Sequence, residues 1–178
     1  MADTLQQEQT AWNAGRAPTS TTWYAATFYA SSAYTCIKIA LQIYEQVEGV
    51  GTITIYLKAV DGDHKPTGDV LASGTTDGDL ILTESPGDWR DFDLGAGVAL
   101  NNGQEYAILG RSTGGAFIWN YHTISQCDGG QLRSLDSGAS WGTFGTADFT
   151  YKVYSSEVST GASIPIILHH RKLMAGAL

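Results

Sequence analysis

Hydrophobic and polar residues alternate with a period of two over much of this chain, the pattern of strands with one buried face. The clearest stretch runs from Tyr34 to Val60. In its first half Ile37, Ile39, Leu41 and Ile43 share one face, with Cys36, Lys38 and Gln42 opposite; in its second half Ile53, Ile55 and Leu57 alternate with Thr54, Tyr56 and Lys58. Both runs are rich in β-branched and aromatic residues, and residues 46–51 between them are long enough to turn an antiparallel pair within one sheet.

Further strands are predicted at Trp23–Ala30, Val70–Thr76, Trp89–Leu94, Gln104–Arg111, Phe117–His122, Gln131–Leu135 and Asp148–Tyr154. Phe117–His122 is expected to pair with Gln104–Arg111. Gly, Asp, Asn and Pro punctuate the gaps, as in DGDHKPTGD after Val60 and SPG at 85–87. About nine short strands with no convincing helix between them predict an all-β antiparallel β-sandwich of jelly-roll type. Its expected core is Ile37, Ile39, Leu41, Ile53, Ile55, Leu57, Tyr106, Ile108, Phe149, Tyr151 and Val153.

The two ends break the alternation. Residues 1–22 are polar and Gln-rich and predict an extended N-terminal arm outside a sandwich domain at 23–154. Residues 155–178 read as a polar linker followed by IPIILHHRKLMAGAL. Pro165 suits the first position of a helix, on which Ile166, Ile167, His170, Leu173 and Met174 share a face. Ile164, Ile166, Ile167, Leu168, Leu173, Met174 and Leu178 are an apolar load that a partner can bury, and Arg171 and Lys172 add positive charge, so this segment is expected to be an assembly tail.

The 178 residues suffice for one domain, and the mean hydropathy of −0.11 places the chain with globular proteins. No apolar run is long enough to span a membrane and no secretion signal opens the sequence, so no membrane partner is expected. Net charge is −8, and nine acids against two bases fall between Asp61 and Asp93. That balance argues against nucleic acid, whose phosphates attract Lys and Arg. Cys36 and Cys127 form no CxxC spacing, and the expectation is two reduced thiols.

Ser134-Leu135-Asp136-Ser137-Gly138-Ala139-Ser140-Trp141 matches the Asp-box pattern S-x-D-x-G-x-x-W. Its chemistry is that of a turn: a carboxylate takes backbone N–H groups, Gly138 takes special dihedrals and Trp141 packs beneath. It supplies no nucleophile, so the box of Ser134, Asp136, Gly138 and Trp141 is read as structural. Asp61 and Asp63, with Asp69, Asp77 and Asp79, offer hard oxygen ligands for Ca²⁺ but lack the EF-hand spacing, and turn carboxylates are the stronger reading. His169 and His170 diverge by about 100° on a helix and do not share a metal easily. Trp119, Asn120, Tyr121 and Trp141 place aromatics beside an amide, the composition of a sugar-stacking surface; core packing of those aromatics is the competing reading.

The succession ATFYASSAYTCIKIALQIY, GTITIYLKAVDGDHKPTGDVLASGTTDGD, SPGDWRDFDL, LNNGQEYAILGRS, FIWNYH, LRSLDSGASW and DFTYKVY resembles a β-sandwich module of tailed-bacteriophage virion structural proteins, also similar to carbohydrate-binding-like modules of bacterial surface proteins. The resemblance implies a non-enzymatic virion protein, on head or tail, whose partners are other virion proteins and copies of itself. The alternative it implies is a carbohydrate-binding module at an extracellular or cell surface, with a surface glycan as partner. No cofactor is implied.

Overall fold

A computed structural model describes residues 3–46, 48–124, 130–143, 145 and 147–156. Its strands are β1 (Asp3–Gln9), β2 (Ala14–Arg16), β3 (Trp23–Tyr29), β4 (Tyr34–Glu45), β5 (Thr52–Val60), β6 (Pro66–Asp77), β7 (Asp88–Leu100), β8 (Glu105–Ser112), β9 (Phe117–His122), β10 (Gln131–Ser134), β11 (Gly142–Thr143), β12 (Asp148–Phe149) and β13 (Tyr151–Ser156). A 3₁₀ turn at Gly78–Leu80 is the single helical element among the described residues. All pairings are antiparallel, and the chain forms the all-β sandwich that the alternation predicts. One sheet has six strands in the order β11-β10-β3-β8-β5-β6. The other has seven, along β1-β13-β4-β9-β12, with β7 on β4 and β2 on β9.

The predicted core residues are buried between the sheets, with one exception. Ile37 is only partly buried, while Cys36 takes the inward place expected of its neighbour. The reason is a β-bulge: Ser155 faces Cys36 and Tyr154 faces Lys38, so Ile37 has no partner on β13. An extra residue in one strand inverts the facing of everything before it. Phe149 is the hub of the aromatic core. Trp119 stacks on it with centroids 4.2 Å apart, and Tyr24 and Tyr121 meet it edge-on.

Two expected pairings are replaced by crossings. β4 lies in the seven-stranded sheet and β5 in the six-stranded one, so the connection from Glu45 to Thr52 passes between sheets and does not close a hairpin. Likewise β8 and β9 fall in different sheets, joined by residues 113–116. The alternation of each strand gives its buried face, which is equally satisfied by a partner beside it or a sheet opposite it. The two crossings bond to each other: Gly115 N–H donates to the Gly49 carbonyl at 2.8 Å, Gly114 N–H to Val50 at 3.0 Å and Thr113 N–H to Thr52 at 3.0 Å. Val50, fully buried, plugs the gap beneath them.

The N-terminal arm is extended but not free of the domain. β1 runs along β13, with Asp3 opposite Ser156, and β2 pairs with β9. Backbone bonds to an open sheet edge hold it, so no apolar alternation was needed. Lys38 secures its start, reaching Asp3 at 2.6 Å and Asp91 at 3.1 Å. The proposed assembly tail, residues 164–178, and Cys127 lie outside the described residues. Cys36 is a free thiol, and burial pushes its pKa up to about 12.

The crossings allow a direct test. A Cβ on Gly114 would sit 2.3 Å from the Gly49 carbonyl oxygen, whereas one on Gly62 meets nothing within 4 Å. Gly114→Ala should destabilise by about 1–3 kcal/mol, the usual range for forced overpacking. Gly62→Ala, in the same assay of urea midpoints, should stay close to wild type.

Candidate functional site

The outer face of the six-stranded sheet gathers most of the chemistry that the fold exposes. Because Tyr24, Ala26 and Phe28 point inward, Trp23, Ala25 and Thr27 point out; Tyr56, between the buried Ile55 and Leu57, does the same. Ala25, Ala107, Leu109 and Leu132 form a small apolar cluster there, on which Trp23, Tyr56 and Trp141 pack half-buried. Trp23 and Tyr56 stack with centroids 5.6 Å apart and an interplanar angle of 25°. Arg111 lies over both rings and donates its Nε–H to the Tyr56 hydroxyl at 3.0 Å.

The Asp-box props one side of this aromatic face. Ser134 Oγ donates to Asp136 Oδ1 at 2.7 Å and accepts the Gly138 N–H at 2.8 Å, while the Ser140 N–H donates to Asp136 at 2.9 Å. Ser137 and Gly138 both take positive φ, 58° and 86°. A side chain at Gly138 would strike the Trp23 ring, 2.9 Å from its Cε3. The hydroxyls of Ser134 and Ser140 stabilise the ionised carboxyl and hold the Asp136 pKa down to about 2.

Beside the apolar cluster lies a cleft of about 250 Å³, lined by Thr27, Asp63, His64, Glu105, Leu132 and Thr143 among others. His64, at φ 61°, brings Nδ1 to 2.6 Å from Glu105 Oε2. Glu105 is buried and the imidazole is open to solvent. The hydrogen bond to Glu105, then its charge, raises the His64 pKa above its ordinary value. The pair can hold a proton and bind a polar group. Thr27 Oγ1, a buried hydroxyl of the lining, accepts the Gly130 N–H at 2.7 Å.

Of the predicted sugar-stacking set, only Trp141 reaches the surface. Trp119 is fully buried, its indole N–H donating to the Thr150 carbonyl at 2.8 Å. Tyr121 packs on Phe149 under Arg16, and Asn120 donates its Nδ2–H to the Pro86 carbonyl at 2.6 Å. These three are interior because Phe117, Trp119 and Tyr121 face the other sheet and the outward Asn120 is covered. Trp23, Tyr56 and Arg111 were missed as surface chemistry, although the alternation puts both aromatics opposite the core positions.

Asp61 and Asp63 do not converge on a cation. Asp61 Oδ1 accepts the N–H groups of Asp63 at 2.9 Å and Lys65 at 3.0 Å, which lowers its pKa, and Asp63 lies 3.8 Å from Lys65 Nζ. Asp77 and Asp79 likewise accept turn N–H groups. Among the described residues no three His, Cys, Asp or Glu side chains are grouped to hold a metal. No protein-family model matches the chain, and no curated protein matches it.

Two titrations follow. Asp136 is depressed in the fold, so its contribution is complete above the unfolded value of roughly 3.9 and fades as pH falls towards about 2. The stability gap between wild type and Asp136→Asn should therefore be constant above about pH 5 and close below it, as read from urea midpoints across pH. His64 is raised, so its contribution is complete below roughly 6.5 and is lost as pH rises through its folded value. NMR of the imidazole should show it titrating above that reference, and Glu105→Gln should bring it back down.

Proposed function

We propose that this chain is a non-enzymatic structural or accessory protein of a tailed-phage particle, assembling through its C-terminal tail. One observation carries the reading beyond the sequence resemblance. Asp3 lies opposite Ser156, so both ends of the described chain meet at one pole of the sandwich. The segment that continues from Ser156 carries Ile164, Ile166, Ile167, Leu168, Leu173, Met174 and Leu178. A compact body with its apolar extension at one pole suits attachment at that pole and display of the rest.

A carbohydrate-binding role is the second reading, favoured by the half-buried Trp23, Tyr56 and Trp141 beside a polar cleft. Aromatic faces next to a carboxylate and an imidazole are the composition that stacks and hydrogen-bonds a sugar ring.

Deleting residues 161–178 should leave the circular dichroism of the body unchanged and abolish assembly in sedimentation velocity; loss of the fold would overturn the proposal. On a glycan array the full chain should be blank. Saturable binding that is lost in Trp141→Ala would replace the structural reading with the carbohydrate one.

A further inference from the structure

The pole opposite Asp3 and Ser156 holds a cleft of about 450 Å³ at the sheet crossings, lined by Glu45, Glu48, Gly49, Asp79, Ile81 and Thr83. Three of these six are acids. Glu45 closes β4 on its inner face, opposite Phe117, and is 5% exposed. Its N–H donates to the Leu82 carbonyl at 2.7 Å, yet its Oε1 is buried and meets no donor among the described residues. A carboxylate oxygen left that way is unfavourable, and a cation brought to it relieves the deficit. Asp79 is fixed by the Gly51 N–H at 2.9 Å, and Arg90 directs Nη2 to the Leu80 carbonyl at 2.6 Å. Leu80 and Leu82, 70% and 48% exposed, flank the lining residues Asp79, Ile81 and Thr83.

The occupant this surface asks for is a cation on a flexible stem between apolar groups. A bare divalent ion is a poor match, because among the described residues no three ligand side chains converge closely enough to hold one. A guanidinium or ammonium brings several donors and lays its methylenes against leucines. This chain contains such a segment in Leu168-His169-His170-Arg171-Lys172-Leu173.

We propose that the Glu45–Glu48–Asp79 cleft is the receptor for the Arg171–Lys172 segment of a second copy. The inference rests on the tail-assembly reading and names its docking partner. Residues 157–171 reach roughly 50 Å when fully extended, and the 12-residue β4 that separates the poles spans about 40 Å. Docking in cis would hold nearly the whole segment taut over the body, whereas a neighbour's tail needs no such stretch. Contacts from one pole to the opposite pole of another copy close a two-fold dimer where two copies exchange tails, and build rings or filaments where they run head to tail.

Sedimentation velocity on the full chain over a concentration series tests this. Glu48→Lys, at an exposed position, and Arg171→Glu with Lys172→Glu should each weaken self-association at least tenfold, and the three changes together should restore most of it. The wild-type association should also weaken with added salt. Should Glu48→Lys assemble like wild type while the tail reversal does not, the cleft is not the receptor, although the tail reading survives. Should deletion of residues 161–178 leave association unchanged, the tail reading fails and the proposal with it. A wild type that stays monomeric at every concentration excludes the second copy.

Discussion

The architecture depends on how the chain is locked where it changes sheets. The connections from β4 to β5 and from β8 to β9 each carry the chain across the gap, from one sheet to the other. Each supplies the other's backbone partners, from Gly49 to Thr52 on one side and Thr113 to Gly115 on the other. The turn at Gly78 joins them, its N–H donating to the Gly51 carbonyl at 2.7 Å. Val50 and Gly78 are buried, where backbone groups must be paired, and here three connections satisfy one another. The close approach explains the glycines: a Cβ at Gly78 would sit 2.5 Å from the Gly51 oxygen, and Gly51 itself has φ 67°. Once this end is closed, the inner faces of β4 and β5 have no choice but to meet.

That dependence also explains what could be read from residues alone. Period-two alternation identifies which side chains are buried, and for Ile39 through Val153 the reading holds. It carries no information about which strand lies beside which. Tyr34–Val60 looks like a hairpin, and its inner faces are right, yet the connection goes across and not around. The error at Ile37 has a different origin. A bulge is a backbone event with no side-chain signature of its own, and here it exchanges Cys36 for Ile37 at the core. β1 was hidden for a third reason. Leu5-Gln6-Gln7-Glu8-Gln9 buries little, and what fixes it is the unpaired edge of β13, a feature of the partner and not of the segment.

The same logic divides the aromatics. Trp119 and Trp141 look alike as sequence, both close to polar neighbours. Trp119 has Phe149 on its face and a buried carbonyl for its N–H, so it belongs wholly to the interior. Trp141 lies on the outer face of the other sheet, where a cover of single side chains leaves it half in water. The Asp-box was recognisable from its spacing because its bonds are local, from Ser134 to Ser140. Its purpose was not, since the Trp23 ring against Gly138 comes from more than a hundred residues earlier.

Charge follows this geometry. At the pole of the chain ends an acid is already matched: Lys38 binds Asp3 and Asp91 and lies 4.4 Å from the Tyr154 ring, so the cation joins β1, β4, β7 and β13. At the crossing pole Glu45 ends β4 and Asp79 lies in the 3₁₀ turn, so the closure of the sheets dictates their positions. Asp79 is held because the Gly51 N–H needs an acceptor, and Glu45 is buried because β4 ends against Phe117. The negative charge, unmatched by a cation among the described residues, is thus a by-product of the backbone arrangement that closes the sandwich. Asp79 serves the crossings through its bond to Gly51 whereas Glu48 is exposed, so a basic group supplied from outside meets the charge without touching the backbone bonds.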